Sequence, residues 1–132
     1  MESIKTIYSN DYTKHYYHLD LTPDDDLILE ISAIRNTKGF KTNFIKCIDF
    51  YGKLGECDDS IKFDADASLN DMRKGLCNRS IDIVMLNGDF EDKPVTLSLD
   101  LLKKRFVILT DNDEPADVDK LERLLQLSRE NL

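Results

Sequence analysis

Two histidines, three cysteines and 26 carboxylates are the side chains from which this 132-residue chain could build chemistry. His15 and His18 flank Tyr16 and Tyr17, with Asp20 close behind. On a helix the two imidazoles would share a face and could hold zinc. On a strand they point to opposite faces and cannot chelate together. The tyrosine-rich surroundings favour the strand, where such histidines pack across strands or sit at the surface.

Asp64, Asp66, Ser68 and Asn70 match the first four oxygen positions of a calcium loop. The pattern then fails: Leu69 stands where the turn needs glycine, and Gly75 where a bidentate acid should close the site. Asp111, Asp113, Asp117, Asp119 and Glu122 give a second partial match, interrupted by Pro115 and Ala116. Acids at a helix N-terminus explain both runs more simply. No metal is expected.

A cysteine could in principle pair with His15 or His18 and an aspartate for nucleophilic catalysis. Such a set arises by chance in any small protein with these residues. There is no G-x-S-x-G elbow, and the five glycines form neither a P-loop nor a dinucleotide fingerprint. An acid pair could act as general acid and base, but the sequence selects no two among so many. The expectation is a protein that is not an enzyme and has no cofactor.

These residues must be positioned by one compact domain, expected to span 1–132, since the length suits a single core. No repeat, low-complexity tract or linker divides the chain. Apolar residues make up 41% and charged residues 33%, a composition that folds but leaves a highly charged surface. Cys47, Cys57 and Cys77 are odd in number and form no C-x-x-C pair, which suggests free thiols in a reducing compartment. With no apolar signal segment at the N-terminus and no bilayer-length run, the expected location is cytoplasmic, without membrane contact.

Tyr12 to Asp20 reads as a strand ending in the Thr22-Pro23-Asp24-Asp25 turn. Leu27 to Arg35 alternates well enough to read as a second strand, and Phe40 to Tyr51 as a third. Glu56 to Phe63 pairs back as an edge strand. Ser68 and Asp71 approximate a capping box for a helix carrying Leu69, Met72 and Leu76 on one face, stopped near Asn78. Gly75 inside it costs up to about 1 kcal/mol against alanine. Ile81 to Leu86 is a strand running into Asn87-Gly88, a strong hairpin signal. Val95 to Leu99 and Phe106 to Leu109 are further strands, with 101–105 either a turn or one helical turn. A final amphipathic helix runs from about Pro115, with Val118, Leu121, Leu124, Leu125 and Ser128 on its inner face. The expected fold is α+β, an antiparallel or mixed sheet of about six to seven strands with two main helices packed on one face.

Charge falls in blocks. The formal net charge is −8, which opposes direct binding of nucleic acid or anionic membrane and favours solubility and rapid capture of a basic partner. Residues 19–30 carry five acids and no base, 31–53 five bases and one acid, and 54–71 six acids and one base. Asp24, Asp25, Asp26, Asp58, Asp59, Asp89, Glu91 and Asp92 fall in expected turns, where side chains meet partners. They are the candidate contacts. In size, acidity, mixed secondary structure and lack of catalytic signatures the chain is similar to bacterial immunity proteins, a likeness of composition with no alignable motif. That resemblance implies an inhibitor that plugs a basic toxin or nucleic-acid enzyme. Two other functions fit the same sequence: a homodimeric secretion chaperone using the apolar face of the last helix, and a small enzyme using His15 or His18 with a carboxylate.

Overall fold

The computed structural model describes residues 3–9, 12–18, 27–40 and 44–130, with the side chains of 3–9 and 129 left aside. Seven strands form one antiparallel sheet: β1 (Ser3–Ser9), β2 (Tyr12–His18), β3 (Ile45–Leu54), β4 (Cys57–Asp64), β5 (Ser80–Phe90), β6 (Lys93–Asp100) and β7 (Arg105–Asp111). Their order is β1-β2-β7-β6-β5-β3-β4. Three helices, α1 (Leu27–Asn36), α2 (Leu69–Gly75) and α3 (Val118–Glu130), complete the α+β fold.

Period-two alternation decides which face is buried. Phe50, Val84, Leu99, Phe106 and Tyr17 lie in one cross-strand row, and Ile48, Leu86, Leu97, Ile108 and His15 in the next. All but His15 are buried, and they share one core with Ile31 and Ile34 of α1, Met72 of α2, and Leu121 and Leu125 of α3. α1 contacts both α2 and α3. The helices therefore cover one face, and among the described residues no helix covers the other.

Several segments differ from expectation, β1 among them, since no strand is expected over Ser3–Ser9. Leu27 to Arg35 is helix, not strand. Its buried residues are Ile28, Glu30, Ile31, Ala33 and Ile34, while Leu29 is 53% exposed. That is helical spacing, which a short apolar run cannot distinguish from a strand until a neighbour selects one face. Its helix ends at a turn in which Thr37 Oγ1 donates to Ala33 O at 2.6 Å, so β3 begins only at Ile45.

Asn87-Gly88 is not a turn. β5 continues to Phe90, and the hairpin is made by Glu91 and Asp92, with φ of 52° and 65°. Positive φ at both positions supplies the twist a two-residue hairpin needs. Asn87 is committed elsewhere, and Gly88 lets the start of β3 approach: Asp89 N–H donates to Phe44 O at 2.8 Å. A Cβ on Gly88 would overlap that carbonyl.

The last helix starts at Val118, later than Pro115 suggests, because Asp117 is its cap: Asp117 Oδ1 accepts from Lys120 N at 3.1 Å. Ser68 caps α2 as expected, accepting from Asp71 N at 3.0 Å. Gly75 also has a reason. A side chain there would collide with Phe63 and Ile61 of β4. Residues 101–104 form a turn, resolving the alternative left by the sequence.

Gly88→Ala should destabilise the fold by about 1–3 kcal/mol, as overpacking against rigid backbone does. Gly55→Ala, at φ 67° but with open space around it, should cost about 1 kcal/mol or less. Urea unfolding of the two variants distinguishes overlap from backbone preference.

Candidate functional site

Of the eight candidate contacts, Asp24, Asp25 and Asp26 lie outside the described residues. The other five do not make one surface. Asp58 and Asp59 sit by the β3–β4 hairpin, where Lys53 pairs with both Asp58 and Ser80. Asp89, Glu91 and Asp92 lie at the far end of β5, which at ~3.3 Å per residue is roughly 30 Å away. Three of the five are also held by the protein's own bases. Asp59 pairs with Arg79 at 2.6 Å, Asp89 with Lys46, and Glu91 with Lys120 at 2.5 Å.

The end of the sheet that holds Glu91 and Asp92 gains a larger acidic element. The loop from β7 into α3 carries Asp111, Asp113, Glu114, Asp117 and Asp119, with no base among residues 111–119. Asp113, Glu114, Asp117 and Asp119 are exposed. Lys93 Nζ donates to Pro115 O at 3.3 Å, and the Lys120–Glu91 pair makes a second tie. These bonds hold the Glu91–Asp92 hairpin against the loop. The sequence places the capping acid at Asp113-Glu114 and puts Asp117 and Asp119 in the first turn, whereas Asp117 is the cap. Five acids in nine residues exceed what one helix N-terminus uses.

Beside the loop lies a cleft of about 650 Å³, lined by Thr13, His15, Asn112, Pro115, Ala116, Asp117, Val118 and Asp119. It exists because β2 is the polar end of the core face. Where inner strands present Leu and Ile, β2 presents Thr13, His15 and Tyr17 to α3. Thr13 Oγ1 donates to Asn112 Oδ1, tying β2 to the loop. Burial pushes the His15 imidazole below its ordinary pKa of 6.5, with the Asp119 carboxylate opposing in part. Burial also pushes Tyr17 up to about 12, helped by the charges of Glu122 and Asp119. A neutral imidazole beside a carboxylate is chemically able to take a proton.

No thiol completes it. Cys47 lies on the open face, opposite in the sheet to the face of His15. His18 shares the open face but is four strands from β3, about 19 Å by strand spacing alone. His15 and His18 do point to opposite faces. Among the described residues no group of three His, Cys, Asp or Glu gathers as a metal site. Nor among them is any helix long and apolar enough to cross a membrane.

The open face holds a polar network of its own. Asp49, 8% exposed, accepts from Asn87 Nδ2 at 2.7 Å, with Lys62 Nζ at 3.8 Å and Cys47 Sγ at 3.9 Å. Asn87 Oδ1 in turn accepts from Thr96 Oγ1 at 2.8 Å. This network crosses four adjacent strands and satisfies a carboxylate that would be costly to bury alone.

No family model, no curated protein and no solved structure matches this chain.

The shifts at His15 and Tyr17 set opposite pH limits. A histidine with a lowered folded pKa contributes stability above about pH 6.5 that is lost as pH falls, because the unfolded chain takes up the proton first. A tyrosine with a raised pKa contributes stability below about pH 10 that is lost as pH rises. Absorbance titration at alkaline pH should show one tyrosine ionising near 12 while the protein stays folded, and Tyr17→Phe should remove it. His15→Asn should flatten the loss of stability on acidification just below pH 6.5.

Proposed function

We propose that this protein is a non-enzymatic acidic binding protein, an inhibitor or immunity protein that neutralises a basic toxin or nucleic-acid enzyme. The observation that carries the reading is the β7–α3 loop: exposed carboxylates with no intervening base, braced against the Glu91–Asp92 hairpin beside an open cleft. Loops fixed to a rigid sheet are where recognition residues concentrate. Carboxylates gathered at one end of a molecule of net charge −8 orient a basic partner during encounter, which raises the association rate.

The contacts are redistributed relative to the sequence reading. Glu91 and Asp92 belong to the docking end together with Asp113, Glu114, Asp117 and Asp119, whereas Asp58 and Asp59 face away from it. A bacterial cytoplasm is the proposed setting. Two exposed free thiols, Cys57 and Cys77, suit a reducing compartment.

A second reading, a small enzyme, draws on His15 held in the cleft near Asp119. Loss of an activity in His15→Ala, with folding intact, would select it. The chaperone alternative draws little from α3, whose Leu121, Leu124 and Leu125 are spent on the core, leaving Leu127 as its exposed large apolar side chain.

The test is association kinetics with the basic protein retrieved at low salt. Wild type should lose about tenfold or more in on-rate as salt rises through the physiological range. Glu91→Gln, Asp92→Asn, Asp113→Asn and Glu114→Gln combined should slow association at low salt, while Asp58→Asn leaves it unchanged. Salt-indifferent kinetics, or equal effects from the two ends, would remove the proposal.

A further inference from the structure

Among the described residues β4 ends the sheet: it pairs with β3 on one side only. None of its residues is buried. Ala65 N–H donates to Lys46 O at 3.1 Å, one step past the strand. By the alternation of an antiparallel ladder, the odd residues of β4 turn their backbone groups to β3. The even ones, Asp58, Ser60, Lys62 and Asp64, turn theirs outward as an unpaired edge. Such an edge is a template for another strand unless proline, a bulge or repelling charge blunts it. β4 has no proline, and its ladder with β3 runs without a register shift.

Charge decides which strand fits. A second copy adding antiparallel, with both open faces on the same side, must set like-facing residues opposite each other. Centred on Asp59, the pairing puts that carboxylate against itself. Centred on Ile61, it puts Asp58 against Asp64, and centred on Lys62 it opposes two ammonium groups. Centred on Phe63, it sets Lys62 against Asp64 twice but pairs only residues 62–64 of the strand. Centred on Ser60, it pairs residues 57–63 and sets Asp58 of each copy across from Lys62 of the other, twice. Asp64 then stands opposite Glu56, which lies in the β3–β4 turn beyond the ladder. Lys62 is only loosely engaged, its side chain 69% exposed with Nζ at 3.8 Å from Asp49, whose close partner is Asn87 Nδ2 at 2.7 Å. Ser60 N–H rests on its neighbour Asp59 Oδ1 at 2.8 Å, a local bond that pairing would exchange. Asp59 keeps Arg79.

We infer that β4 pairs with β4 of a second copy about a two-fold axis through Ser60, joining two seven-stranded sheets into one. Opposite charges directly across a strand pair stabilise it, and like charges oppose it, so among the registers that pair most of the strand Asp58 and Lys62 select this one. Edge pairing covers little area, so the dimer is weak and concentration-dependent. It leaves the acidic β7–α3 end free and does not depend on the proposed inhibitor function.

The register makes a sharp test. Residues opposite at the axis in a hydrogen-bonded pair have Cα atoms about 5.5 Å apart, inside the range a disulfide spans. Ser60→Cys, in a background with Cys57 and Cys77 replaced by serine, should cross-link on mild oxidation several-fold faster than Lys104→Cys, exposed in a turn away from the edge. Sedimentation velocity should show the wild-type mass rising with concentration. Lys62→Asp should abolish that rise, and adding Asp58→Lys should restore it, with circular dichroism confirming that each variant is folded. A monomer at every concentration, or equal cross-linking at 60 and 104, overturns the inference.

Discussion

Everything in this molecule is arranged around a sheet that buries one face only. Side chains alternate along a strand, so a slip of one residue in any strand would send its core residues to solvent. The rows through Phe50, Val84, Leu99, Phe106 and Tyr17, and through Ile48, Leu86, Leu97, Ile108 and His15, bind five strands to one register. The turns hold it. Glu91, Asp92 and Lys104 all adopt positive φ, and each fixes where a strand reverses. His15 owes its surroundings to the same constraint: it occupies a core-facing position at the margin of the apolar rows, where α3 can shield it only in part.

The open face is kept in order by polar chemistry. Asp49 is nearly buried between β4 and β5 and survives there because an amide, an ammonium and a thiol approach it. On the β2 side the Arg105 guanidinium lies 4.5 Å over the Tyr16 ring. A second layer of helices over this face would have to displace that network and strand the Asp49 carboxylate.

The net charge is not spread evenly. The sheet end with the β7–α3 loop and the β5–β6 hairpin is rich in carboxylates, whereas Lys53, Arg79, Lys103, Lys104 and Arg105 lie toward the other end, where Arg79 pairs with Asp59, and Lys53 and Arg105 stand opposite Asp58 and Asp100 in the ladders. A dipolar surface of this kind orients an approaching partner as well as attracting it. The pairs Glu91–Lys120 and Asp89–Lys46 at the acidic end are exposed, and exposed pairs add little stability. Glu91–Lys120 instead braces the hairpin against α3, and Asp89–Lys46 ties β5 to the start of β3.

The class of fold was legible because periodicity and caps are local. β2, the edge strand β4, the Ser68 cap of α2 and the inner face of α3 all follow from spacing within a dozen residues. Leu27 to Arg35 was not legible, since its run of Leu and Ile satisfies both periods and only packing against α2 and α3 selects the helix. Asn87-Gly88 misled for a related reason: its turn preference is local, while Asp49 and the Phe44 carbonyl, which claim both residues, are some forty positions away. The carboxylates were visible as types and counts, but which of them share an end of the molecule depends on strand order. Composition and pattern thus determined an acidic, one-sheet α+β protein. Long-range pairing alone decided that Glu91 and Asp92 join the β7–α3 loop, that Asp58 and Asp59 do not, and that His15 lies beside Asp119.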